Sequence, residues 1–133
     1  MIDFDAILRK DNEAKRKWAA WQRLKDRATD TSVHLSDMPK GGGGGNPQER
    51  AMIGMVEAEE VYLKAKTELD AMREELADAM VILKKWQHID VIRKRYLEGK
   101  SISETMEEIG YEWSQTNRFL TEARSLINAP KME

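Results

Sequence analysis

Residues 93–126 read RKRYLEGKSISETMEEIGYEWSQTNRFLTEARSL, and the punctuation in this stretch decides the fold. Just upstream, Ile89 and Ile92, and within it Tyr96 and Leu97, mark the inner side of a helix that begins near His88. Gly99 ends that helix, because glycine accepts the left-handed backbone that follows a helix terminus at least cost. Ser101 stands three residues before Glu104, the spacing of a capping box, so a second helix starts there. Its inner side is predicted to be Ile102, Met106 and Ile109, and Gly110 stops it after about two turns. Tyr111 and Glu112 follow. A third helix, Trp113 to Leu126, then directs Trp113, Thr116, Phe119, Leu120, Ala123 and Ile127 toward the core, and Pro130 ends regular structure.

A short helix, a glycine-bearing turn and a longer helix make a helix-turn-helix, whose second member lies in the major groove of DNA when the motif binds a duplex. The base-reading candidates on the outer face of that helix are Ser114, Gln115, Asn117, Arg118 and Thr121, with Ser125 further along. Arg is suited to guanine and Asn or Gln to adenine. Arg93, Lys94, Arg95, Lys100 and Arg124 are the candidates for phosphate contacts, which position a module without reading sequence. Residues 88–133 carry seven Lys or Arg against eight Asp or Glu, a net charge of -1. That balance keeps a protein-binding three-helix unit open as the alternative.

Upstream of this module the pattern lengthens. Ala51, Met55, Ala58, Tyr62, Ala65, Leu69, Met72, Leu76, Ala79, Leu83 and Trp86 step by four and three, an a/d repeat that predicts one helix of about 35 residues. Glu57, Glu59, Glu60, Lys64, Arg73 and Glu74 lie between these positions, on a face read as solvated. Phe4, Ile7, Leu8, Ala14, Trp18, Trp21, Leu24 and Ala28 form a comparable stripe on a first helix. The cluster Lys15, Arg16, Lys17, Trp18, Trp21 and Arg23 reads as a packed Trp stripe with a solvated opposite face, in preference to a nucleic-acid surface. Residues 30–47, with Gly41 to Gly45 and then Asn46 and Pro47, read as a flexible connector. They lack the Lys and Ser/Thr that would make a phosphate loop. The expectation is an all-α chain: a helical hairpin or coiled coil over 1–87 that oligomerises, with a dimer favoured, then a three-helix helix-turn-helix module over 88–133.

Bulk properties narrow the function. The chain has 133 residues, a net charge of -2, 35% charged residues and no Cys. Disulfides and thiolate chemistry are excluded. The first residues carry two acids and no signal-like apolar run, and no stretch reaches the ~18 apolar residues of a membrane span, so a cytoplasmic protein is expected. His34 and His88 lack partners at ligand spacing and are read as surface or junction residues. Glu57, Glu59, Glu60, Glu74, Glu75 and Asp78 lack the Glu-x-x-His pairs of di-metal bundles. No metal, cofactor or enzymatic activity is expected.

The segment 93–126 resembles the fourth conserved region of sigma-70-type factors, and is more similar still to the small phage-encoded sigma-like activators of the ArpU and RinA kind. The resemblance covers about a quarter of the chain and rests on the Tyr-containing helix end, the Gly, the Ser-Glu start and the Ile-Gly-Tyr turn. It implies transcriptional control in a phage or prophage, in the cytoplasm of a bacterial host. Double-stranded DNA and host RNA polymerase would be the partners, with Ser114, Asn117 and Arg118 at the groove. Glu112 stands where those proteins usually carry a capping Ser or Thr. Two other readings remain beside it: a structural or adaptor protein such as a small terminase-like DNA-packaging subunit, and a protein-binding inhibitor of transcription.

Overall fold

The computed structural model describes residues 1–34 and 47–130. Among the described residues all regular structure is helical: α1 (Phe4–His34), α2 (Pro47–Ala79), α3 (Trp86–Ile92), α4 (Ile102–Ile109) and α5 (Trp113–Ile127). A 3-10 turn at Met80–Ile82 follows α2, and a π-helical turn at Arg93–Leu97 follows α3. The all-α expectation is met. The connector read over 30–47 is shorter than expected, since residues 30–34 continue α1 and Pro47 opens α2; the Gly41 to Gly45 run lies outside the described residues. Backbone contacts divide the chain into two compact units, Met1–Asp11 with Leu69–Glu133, and Asn12–Glu68.

In the unit Asn12–Glu68, Ala14 and Ala65 are buried. Small side chains at a seam let two helices approach closely. Trp21 stacks on Tyr62 with ring centroids 5.7 Å apart, and the Lys25 ammonium lies 5.9 Å from the Trp21 ring centre. The predicted Trp stripe is therefore half realised. Trp21 packs, but Trp18 is exposed, as are Met52, Ile53, Val56 and Leu63 of α2.

The unit Met1–Asp11 with Leu69–Glu133 holds the larger core, made by Phe4, Ile7, Leu69, Leu76, Leu83, Val91, Ile92, Tyr96, Phe119, Leu120 and Ala123. Burying each large side chain in that set contributes about 1.5–3 kcal/mol. The a/d repeat stays inward through Leu83, but α2 itself stops at Ala79 and the chain leaves Leu83 in extended conformation (ψ 130°). Trp86, read as the last seam position, instead opens α3 and is 53% exposed. Glu98 N–H donates to the Arg93 carbonyl at 2.9 Å, the wide spacing of the π turn. Gly99 (φ 72°) then lets Lys100 N–H reach the Lys94 carbonyl at 3.0 Å.

The N-terminal residues are part of this unit. Asn128 accepts from Ile2 N–H and donates to the Ile2 carbonyl, both at 2.9 Å, and Phe4 packs on Tyr96 with centroids 5.0 Å apart. Arg73, expected on a solvated face, donates through Nε to the Tyr96 carbonyl (2.8 Å) and through Nη2 to Asp11 Oδ1 (2.9 Å). Both charged side chains are largely buried.

Candidate nucleic-acid interface

The capping box forms as the spacing predicts. Glu104 N–H donates to Ser101 Oγ, and Ser101 N–H donates to the Glu104 carboxylate, each at 3.1 Å. Hydrogen bonding from the Ser101 backbone N–H foremost, and then from its side chain, holds the Glu104 carboxyl below its ordinary pKa. Gly110 (φ 77°) ends α4, and residues 110–112 lead into α5. The inner side of α4 differs from expectation. Ile102, Met106 and Ile109 are only half-buried, while Thr105 is fully buried and satisfies its hydroxyl by donating to the Ser101 carbonyl at 2.8 Å. Thr105 can be buried there because its compact side chain bonds its own backbone and leaves no polar group unmet.

The α5 helix is held by Thr116, Phe119, Leu120 and Ala123, all buried as predicted. Trp113 is a correction. Assigned to the core, it is 61% exposed, since the first residue of the helix precedes the turn that meets α3. Glu112 is the N-cap residue, in extended conformation, and its side chain makes no capping bond.

All five base-reading candidates lie along the outer side of α5. Ser114, Gln115, Arg118 and Thr121 are exposed and Asn117 is half-exposed. Asn117 Nδ2 donates to the Trp113 carbonyl (3.0 Å) and Thr121 Oγ1 to the Asn117 carbonyl (2.9 Å). Such exposed bonds exchange readily with an incoming partner, because water competes for them already. Arg118 is loosely held, its Nε 3.9 Å from Glu122 and its guanidinium carbon 5.6 Å from the Phe119 ring centre.

The five phosphate-contact candidates are arranged otherwise. Arg93 pairs with Asp90 (2.5 Å) and Glu98 (3.5 Å), Lys94 with Glu108 (3.5 Å), and Lys100 with Glu108 (2.5 Å) and Glu98 (3.2 Å). Arg95 donates to the Lys100 carbonyl at 2.9 Å, and Arg124 to the Tyr96 hydroxyl at 3.2 Å. Hydrogen bonding to Glu108 holds the Lys100 ammonium above its ordinary pKa, and the same bond holds Glu108 below its own. Burial pushes the Tyr96 phenol up, opposed by Arg124. All five cations therefore have internal partners.

Sequence reasoning missed two others. Lys84 and Lys85 are exposed, and among the described residues neither makes an ion pair. They follow the buried Leu83 in an extended segment and precede Trp86, whose ring lies 6.1 Å from that of Tyr111 in the turn before α5. Gln87 Nε2 also donates to the Tyr111 hydroxyl at 3.3 Å. The available signal was a Lys-Lys-Trp run directly after a seam Leu. His88 was misjudged too. It is 4% exposed, edge-on to Phe119, with both ring nitrogens unbonded and Glu122 Oε1 at 3.8 Å.

Among the described residues no three His, Asp or Glu side chains converge where a metal could bind, and no helix is long and apolar enough to cross a membrane. Comparisons with protein-family models, curated proteins and solved structures find no match to this chain.

Proposed function

We propose that this chain is a sequence-specific DNA-binding transcription regulator of phage or prophage type, which reads the major groove with α5. The observation that carries the reading is the run of Ser114, Gln115, Asn117, Arg118 and Thr121 along one outward side of a helix whose other side is fixed by Thr116, Phe119, Leu120 and Ala123. Rigid support behind a row of exposed hydrogen-bonding side chains is what base discrimination requires, since each bidentate contact depends on placement to a fraction of an ångström. The resemblance of residues 93–126 to sigma region 4 supports the same reading and adds host RNA polymerase as a partner. The N-terminal helices join two copies, and the exposed Met52, Ile53, Val56 and Leu63 are the surface available for it. Paired modules would then contact half-sites separated by multiples of ~34 Å.

The test is selection of bound duplexes from a random pool at ~100 mM salt, alongside Arg118→Ala. An enriched motif is expected, with one position relaxed in the variant at a cost of ~1–3 kcal/mol. An unenriched pool overturns the reading. The closed ion pairs around Glu98 and Glu108 favour a second one, a protein-binding module with a quiet surface. Partner capture that persists at high salt without DNA would support it.

A further inference from the structure

We propose that the phosphate-gripping edge of the module is the extended Lys84–Lys85 segment beside the turn into α5, and that the cations at 93–100 and Arg124 do not serve this purpose. The inference rests on the DNA-binding reading and deepens it by naming where the duplex backbone lies. A cation can neutralise a phosphate cheaply only if it gives up water, not an existing partner. Arg93, Lys94 and Lys100 would each have to leave Glu98, Glu108 or Asp90, and would leave those carboxylates facing the phosphates. Arg95 and Arg124 would have to release the Lys100 carbonyl and the Tyr96 hydroxyl. Lys84 and Lys85 have no such obligation.

Their position is fixed from both sides. Leu83 is buried immediately before them, and Trp86 immediately after is tied to Tyr111, which in turn packs edge-on against Phe119 of α5 with centroids 5.1 Å apart. The lysines therefore stand at the N-terminal end of α5, where a recognition helix enters the groove and the flanking backbone comes closest. The exposed indoles of Trp86 and Trp113 extend the same surface, each offering an apolar face for deoxyribose and one N–H donor. A duplex whose sugar-phosphate strand runs across Lys84, Lys85, Trp86 and Trp113 presents its bases to Ser114, Gln115 and Arg118.

The experiment measures the affinity of the full chain for a fixed duplex between ~50 and ~300 mM salt, for the wild type, Lys84→Gln, Lys85→Gln, the double variant and Lys100→Gln. Each phosphate contact contributes about 0.9 to the slope of log affinity against log salt, which corresponds to about eightfold in affinity at ~0.1 M. Each single variant is expected to lower the slope by about 0.9, the double by about twice that, and Lys100→Gln to leave it unchanged. Both lysines are exposed and outside the helices, and unchanged helical circular dichroism establishes that the variants remain folded. Wild-type slopes in the double variant, with duplex binding retained, overturn this inference and leave the DNA-binding reading standing. A slope that falls in Lys100→Gln but not in the others returns the phosphate contacts to the Glu108 corner. Failure of the wild type to bind duplex at any salt overturns both.

Discussion

Replacing Asp11 by Ala removes the anion from a pair that α1 and α2 form inside the larger core. Arg73 Nη2 and Asp11 Oδ1 are 2.9 Å apart, with the two side chains only 17% and 10% exposed. At such depth the desolvation of both charges is already paid, and what remains in the variant is a guanidinium held by the Tyr96 carbonyl with its main counter-charge gone. Loss of one partner from a fully buried pair costs about 3–5 kcal/mol, and the residual exposure here brings the expectation to about 3 kcal/mol. With about 3–5 °C of melting temperature per kcal/mol for a chain of this size, the midpoint should fall by about 10 °C. Arg73→Met should cost a similar amount. The double variant Asp11→Ala with Arg73→Met should cost less than the two singles together by about 2 kcal/mol, since it leaves no uncompensated charge. Urea unfolding followed by circular dichroism gives all four stabilities. Additive losses, or single variants within about 0.5 kcal/mol of wild type, would refute the argument that this pair is buried and mutually dependent.

Two further outcomes follow from the helix ends. Gly99→Ala and Gly110→Ala both put a Cβ at positive φ (72° and 77°), costing about 1–2 kcal/mol each. Only at Gly99 would that Cβ also press on Arg73 Nη2 (3.0 Å) and Asp11 (3.1 Å), so thermal melts should rank Gly99→Ala clearly below Gly110→Ala. Ser101→Ala, which removes the N-cap acceptor of α4, should cost about 1 kcal/mol. The Glu104 carboxyl is held below its ordinary range in the folded chain, so its contribution is present above that range and is lost as pH falls through the lowered folded value. Glu104→Gln should therefore flatten the fall of the urea midpoint between ~pH 5 and ~pH 3, where wild type and variant converge.

The parts of this fold that were legible in the sequence are those set by local backbone chemistry. Gly99, the Ser101–Glu104 box and Gly110 each specify a helix boundary through bonds within a few residues, and each stands where the spacing put it. Thr116, Phe119, Leu120 and Ala123 on the inner side of α5 follow as directly from periodicity, whereas Trp113 does not. Features that depend on distant partners were not legible. Arg73 reads as a solvated charge because nothing local distinguishes a guanidinium that will meet a carboxylate 62 residues away, at Asp11. His88 read as a junction residue, yet the packing of α3 on α5 encloses it against Phe119. The cationic candidates show a related effect, since each of the five has an internal partner that its type and spacing do not reveal. Composition counts Lys and Arg, whereas availability depends on whether Glu98, Glu108 or Asp90 has folded against them.

If two lysines supply the ionic grip, a single copy neutralises about two phosphates, and its affinity would change by less than about 13-fold between ~50 and ~200 mM salt. Non-specific attachment would be correspondingly weak, and discrimination would rest on α5. Weak grip and good discrimination become useful together only when two modules act on one duplex, because the second contact is then intramolecular and its effective concentration is high. Under the proposed function the long N-terminal helices would then be a condition of binding and not merely a scaffold. Under the proposed pairing of two copies, charging the exposed Ile53 and Val56 should abolish occupancy of a paired site while leaving the sequence preference of each half-site unaltered.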